Sequence, residues 1–238
     1  MTFQLSPNHK PQVIFLDAMG TLFDLKQSVG EIYQQFAFKH GVKIDAKSLD
    51  KAFIDSYKAA PPLAFPPAEL NTIGDQEFLW WKNVVQTTFQ RVKVLNKFSN
   101  FTEFFDEVYI YFATQDPWYV FPDVVPCLQN WQQQGIELGV ISNFDSRLEL
   151  ILKALSLEPF FTSITISSVA GFAKPDHNIF DIALKKHGFA PQQAWHIGDN
   201  KEADYLGAEN AGIKAFWLNC NGYSGNVKNQ LPNLSSLG

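Results

Sequence analysis

The strongest constraint on this chain is a discontinuity. Gln12 to Asp17 (QVIFLD) is an apolar run closing on a carboxylate, followed by Gly20 and Thr21. It reads as a buried parallel strand and a turn. No second strand follows for about 90 residues. From Lys26 the period becomes helical: Val29, Ile32, Tyr33 and Phe36 share a face, and Gly41 is a stop signal. Asp45 is placed to cap a second helix carrying Leu49, Phe53 and Tyr57. Pro61, Pro62, Pro66 and Pro67 make a loop. Further helices are predicted over Asp75–Val94 and Thr102–Ala113.

After Pro117 strands and helices alternate. A helix with Val124, Leu128 and Trp131 ends at Gly135, before a strand over Glu137–Ser142 and a helix over Arg147–Leu155. The same reading gives strands at Ser163–Ser167, Ala194–Gly198 and Lys214–Leu218, with helices at Asn178–His187 and Ala203–Ala211. Repeated strand–helix units imply an α/β fold, a doubly wound parallel sheet with helices on both faces. A crossover needs only a dozen or so residues, so the early helices are too many to be one. Residues 1–25 and 117–238 are expected to form the sheet domain, and 26–116 an inserted helical domain. The linkers are expected near Phe23–Gln27 and Asp116–Phe121.

Composition narrows the function. Of 238 residues, 46% are hydrophobic and 18% charged, so a packed core is expected rather than disorder. Nineteen basic against 24 acidic side chains leave a net charge of −5, with no Lys/Arg cluster, which argues against a nucleic-acid partner. Cys127 and Cys220 belong to no Cys-x-x-Cys or Cys/His spacing and read as two buried thiols in a reducing compartment. The opening MTFQLSPNHKPQ has no apolar run fit for a signal peptide, and no membrane partner is expected. The expected location is the cytoplasm.

Four segments fall at the C-terminal ends of predicted strands: Asp17-Ala-Met-Gly-Thr21, Ser142-Asn143, Lys174-Pro175 and Gly198-Asp199 through Asp204. Singly each is ordinary. Asp17 alone reads as a turn residue, and Gly-Asp before a helix as a cap. Their order and placement carry the signal, since strand ends of such a sheet form the ligand crevice. Asp17 and Asp199 can share one Mg²⁺, which prefers oxygen ligands. A carboxylate such as Asp17 can also attack phosphorus. Ser142 offers a hydroxyl and Lys174 a positive charge for phosphoryl oxygens, and phosphoryl transfer needs mainly such positioning.

With these residues the chain resembles the haloacid dehalogenase-like hydrolase superfamily, in the subfamily with a helical cap inserted after the first motif. FLDAMGTLF is similar to its first motif, GVISN to its second, AGFAKPD to its third and HIGDNKEADYLGAENAG to its fourth. The resemblance implies that Asp17 is the nucleophile, that Ser142 and Lys174 hold the phosphoryl group, and that Asp199 binds Mg²⁺. It implies that Asp204 supports the metal or Lys174, that Asn143 anchors backbone or substrate, and that Thr21 joins Asn143 at the substrate. The expected substrate is a small phosphorylated metabolite.

One departure matters. Phosphatases of this superfamily carry a second Asp two residues after the nucleophile as general acid and base, where this chain has Met19. Its backbone carbonyl can still serve a metal, but a thioether transfers no proton. Alkyl phosphates should then turn over slowly. Asp24 lies nearby in sequence, with nothing to aim it at the site.

Three readings compete: a Mg²⁺-dependent phosphatase, a dehalogenase- or phosphonatase-type hydrolase, and a non-catalytic protein binding a phosphorylated ligand or a protein partner. The metal carboxylate Asp199 counts against a dehalogenase. A phosphonatase needs a cap lysine, and Lys51 and Lys58 read better as a solvated helix face. His196 reads as a packed, hydrogen-bonded core histidine rather than a catalytic one, and His177 as a helix start. Trp80 and Trp81 cannot both face one side of a helix. Pro61–Pro67 reads as a connector.

Overall fold

The computed structural model describes residues 10–65, 72–219, 227 and 229–237. The chain divides into two units, the first holding residues 1–24, 64–67 and 120–238 and the second 25–63 and 68–119.

The first unit is built on β1 (Val13–Leu16), β4 (Glu137–Ser142), β5 (Ser163–Ile166), β6 (Ala194–Gly198), β7 (Lys214–Leu218) and β8 (Gln230–Leu231). These six make one parallel sheet in the order β5-β4-β1-β6-β7-β8. Every residue of β1 and of β6 is buried, as expected of parallel strands covered on both faces. Val13 and Phe15 meet Ile179, Phe180 and Ala183 of α8 (His177–His187) and Ala208 of α9 (Gly207–Asn210). Ile14 and Leu16, which alternate to the opposite face, are also fully buried. α5 (Val124–Gln133) packs on β4, and α6 (Arg147–Ala154) and α7 (Ser167–Ala170) follow β4 and β5 along the chain.

The topology selects one place for a ligand. From β1 the chain proceeds outward to β4 and β5, then returns and proceeds the other way through β6, β7 and β8. The reversal lies between β1 and β6, and the C-terminal ends flanking such a reversal form the binding crevice.

The second unit holds α1 (Val29–Lys39), α2 (Ala46–Ala59), α3 (Ile73–Arg91) and α4 (Phe101–Tyr111). Their starts are written in the sequence. Ser28 and Glu31 form a reciprocal capping box on α1, Asp45 accepts from Lys47 and Ser48 N–H at α2, and Asn100 accepts from Glu103 N–H at α4. The core of this unit is aromatic: Phe89 packs against Phe104 at 5.0 Å and Phe98 at 5.1 Å between ring centres. Gly30 allows α1 to approach α2, because a Cβ there would stand 2.1 Å from the Ala46 carbonyl oxygen. Trp80 is buried and donates from Nε1 to Pro61 O, while Trp81 is half-buried. Lys51 and Lys58 are exposed on α2.

Several elements differ from the sequence reading. Phe23–Leu25 and Trp118–Val120, expected as linkers, are paired strands (β2 and β3) of a two-stranded sheet. Three residues each are too few to show a strand period. Asp24 lies in β2. The helix expected over Ala203–Ala211 is a π-helical turn, Lys201–Leu206, running into α9. Pro66, Pro67 and Cys220 lie outside the described residues. Cys127 is a buried free thiol, and burial pushes its pKa up to about 11. Among the described residues no helix is long and apolar enough to cross a membrane.

Candidate active site

Asp17 follows β1 directly, and its N–H donates to Ile197 O of β6 at 2.9 Å, so its height is set by the sheet. The chain then coils tightly around one carbonyl: Ala18 O accepts from Thr21 and Leu22 N–H at 3.2 and 2.7 Å. Gly20 closes this coil at φ +83°, a region that favours glycine. A Cβ there would also stand 2.6 Å from the Asp199 carboxyl. Ser142 ends β4, and Asp199 follows the end of β6. The crevice therefore receives side chains from both sides of the topological reversal.

Lys174 arrives on the loop before α8. Asn143 clamps that loop: its amide oxygen accepts from Lys174 N–H at 2.7 Å, and its amide nitrogen donates to Lys174 O at 2.8 Å. Lys174 Nζ then donates to Asp17 Oδ1 (2.7 Å), Ile141 O (2.7 Å) and Asp204 Oδ1 (2.5 Å). An ammonium has three N–H groups, so all are engaged. Asp204 Oδ2 accepts from Asn200 N–H at 3.0 Å, and His196 Nε2 lies 3.0 Å from Oδ1. Gly198 makes room, since a Cβ there would stand 2.2 Å from Asp204 Cγ.

Charge explains the titration pattern. Asp17, Asp199 and Asp204 each offer a carboxylate oxygen within 4.8 Å of the others. Three carboxylates against the one ammonium of Lys174 leave two negative charges. Burial alone would pull Lys174 down, but the charges of Asp17 and Asp204 outweigh it and hold the ammonium above its ordinary pKa. Burial opposes ionisation of Asp204 too, yet Lys174 and His196 hold this carboxyl well below the usual range. The remaining carboxyls carry the excess. Burial, then repulsion from Asp204, lifts Asp17 above its ordinary value against the pull of Lys174. Asp199, at the exposed rim, is pushed up to about 7 by desolvation of its carboxyl and by the charges of Asp17 and Asp204. Such a set of hard oxygen donors with two excess negative charges fits a divalent cation such as Mg²⁺.

The chain matches the description of haloacid dehalogenase-like hydrolases over residues 11–212. It belongs to that family. It is 34% identical to haloacid dehalogenase-like hydrolase domain-containing protein 3 of Bos taurus over 210 residues, covering 87% of this chain and 82% of that protein. It is 28% identical to the rhythmically expressed gene 2 protein of Drosophila melanogaster, over 84% of this chain and 80% of that protein. Among solved structures it resembles a HAD phosphatase from Thermococcus onnurineus, with TM-score 0.65, 20% identity and 95% of each chain covered. It also resembles a dehalogenase, with TM-score 0.70, 19% identity, and 98% and 97% of the two chains covered. At these identities the structural likeness shows the fold of the family.

Within the family's motifs, the geometry assigns places that spacing could not. Asp17, Lys174, Asp199 and Asp204 converge. Ser142 is buried at the end of β4, and among the described residues no group bonds its hydroxyl. Of the two anchoring roles expected for Asn143, backbone or substrate, the structure shows the backbone one: both of its amide groups are bound to the Lys174 backbone. Thr21, expected at the substrate, is 1% exposed, and its hydroxyl is buried without a partner among the described residues. Met19 is 38% exposed, so its side chain is not part of the buried cluster. Asp199 caps nothing: the π-helical turn is capped by Asn200, which accepts from Glu202 and Ala203 N–H.

The packed, hydrogen-bonded histidine expected at His196 has Asp204 as its partner. The sequence reading missed two things. Asp145, wholly buried, holds Arg147 through Nε at 2.8 Å and a second guanidinium nitrogen at 2.7 Å, bracing the loop after Ser142. The two glycines, Gly20 and Gly198, sit against carboxylates, and their place beside Asp17 and Asp199 was the only signal available.

Proposed function

We propose that this protein is a Mg²⁺-dependent phosphatase that works through an aspartyl-phosphate on Asp17, with weak action on alkyl esters. The observation that carries this reading is the Asp17 carboxylate held at one oxygen by Lys174 and lying beside Asp199 in a cluster with two excess negative charges. Lys174 engages Oδ1 and leaves Oδ2 to attack phosphorus as the bond to the leaving oxygen breaks. Water then hydrolyses the acyl phosphate and restores the carboxylate. Ser142 offers its hydroxyl to a phosphoryl oxygen, and the charge of Lys174 helps neutralise the transferring group. Asp17, Asp199 and the Met19 carbonyl are the groups that would hold Mg²⁺, and the ion would supply charge neutralisation at the transferring group.

Met19 supplies no proton to the departing oxygen. General acid catalysis is typically worth ~10²–10⁴-fold, so good leaving groups are favoured over sugar phosphates. The dehalogenase among the structural neighbours does not redirect this reading, because halide displacement needs no metal carboxylate and Asp199 is present in the cluster. The test is a screen of aryl, acyl and alkyl phosphates with Mg²⁺ and with EDTA, using Asp17→Asn as the blank. Phosphate release that needs both Mg²⁺ and Asp17 supports the reading. No release from any ester favours a non-catalytic protein that binds a phosphorylated ligand.

A further inference from the structure

His196 stands inside β6, fully buried between Trp195 and Ile197. Position alone asks for an apolar residue there. The imidazole meets Phe180 edge-on at 5.3 Å, and Nε2 lies 3.0 Å from Asp204 Oδ1. Asp204 is ionised by its contact with Lys174, so Nε2 carries the proton and donates. Nδ1 is left buried with no partner. An unsatisfied buried nitrogen is destabilising, so packing does not account for a histidine here. What the ring adds lies on its other side, at Asp204.

A carboxylate rotates easily, because its terminal torsion is broad and two-fold. Asp204 is fixed by three donors: Lys174 Nζ and His196 Nε2 on Oδ1, and Asn200 N–H on Oδ2. Lys174 takes its own aim from this carboxylate, since one of its N–H groups is held by Asp204 while another reaches Asp17. We infer that His196 is a positioning residue: by donating to Asp204 Oδ1 it fixes the carboxylate that aims Lys174 at Asp17. The kinetic part of this inference rests on the phosphatase reading; the geometric part does not.

The test compares His196→Gln with His196→Met, two side chains of equal length of which only Gln can donate. With aryl phosphate and Mg²⁺, His196→Met should lose about 10–100-fold in kcat, the usual effect of removing a group that orients a site residue. KM should stay near that of the parent, and His196→Gln should recover most of kcat. A second readout needs no turnover. In nitrogen-15 spectra the parent should show the Nε2–H tautomer of His196 and a resolved Lys174 ammonium signal. That ammonium signal should vanish in His196→Met and return in His196→Gln. If the parent hydrolyses nothing but the spectra behave so, the phosphatase reading falls and the positioning role stands. Full kcat and an intact Lys174 signal in folded His196→Met would overturn the inference while leaving the phosphatase reading untouched. Equal losses in both variants, or an Nδ1–H tautomer in the parent, would overturn it as well.

Discussion

The buried hydroxyls of the helical unit and the strand-end cluster of the sheet unit are bonded in opposite ways. In the helical unit the buried hydroxyls are satisfied within one turn: Ser56 donates to Ala52 O and Thr88 to Val84 O. Each bond is local and accompanies the helix. In the sheet unit the buried strand-end cluster is joined across the chain, Lys174 to Asp17 over 157 residues and to Asp204 over 30. Those bonds exist only when the sheet has assembled β1, β4 and β6 side by side. The helical unit is thus a packing problem solved mainly by aromatic rings, whereas the sheet unit supports a charge cluster that is unbalanced on its own. An unbalanced cluster costs stability and is retained where ligand binding offsets it.

The largest expected effect falls on the sheet unit alone. Met19→Asp restores an acid beside Asp17. It should accelerate alkyl phosphates by ~10²–10⁴-fold and aryl phosphates much less. The ratio of the two rates in parent and variant is the measurement. If the parent already hydrolyses a sugar phosphate with ordinary efficiency, another residue supplies the proton.

The next effect belongs to the helical unit. Phe89 is fully buried among Tyr33, Phe98 and Phe104. Phe89→Ala should cost about 3–5 kcal/mol in urea unfolding. The Mg²⁺ affinity proposed for the other unit should not change. A large loss of Mg²⁺ binding in the folded variant would show that the two regions are not as separable as their polar networks suggest.

The smallest effect is a pH slope. Asp199 has a folded pKa of about 7 against an ordinary 3.8. Between those values the folded chain holds a proton that the unfolded chain has released. The metal-free protein should therefore lose stability as pH rises from about 4 to about 7. Asp199→Asn should flatten that slope, as read from thermal midpoints across the range. An unchanged slope would place the excess charge elsewhere.

The same contrast explains what the sequence made legible. Strands β1, β4 and β6 and helices α1 to α4 announce themselves by period, by a cap at Asp45, and by stops such as Gly41. The residues of the cluster are legible as motifs at strand ends. Their partners are not. Nothing in the spacing says that Asn143 binds the Lys174 backbone rather than a substrate, or that Thr21 is closed inside a coil. Those outcomes depend on where a loop 31 residues away comes to rest, and on a turn held by one carbonyl. The π-helical turn holds Asp204, whose carboxyl lies close against Gly198, and helical periodicity records neither feature. The paired strands β2 and β3 are too short to carry a signature.

The central claim is that the strand-end cluster requires a divalent cation. The most direct measurement is the thermal midpoint of the parent and of Asp199→Ala through a millimolar Mg²⁺ titration at pH 8, after EDTA treatment. A ligand that binds only the folded state raises the midpoint in proportion to its occupancy. The account predicts a rising midpoint in the parent and none in Asp199→Ala. A parent midpoint that stays level across the titration would contradict it.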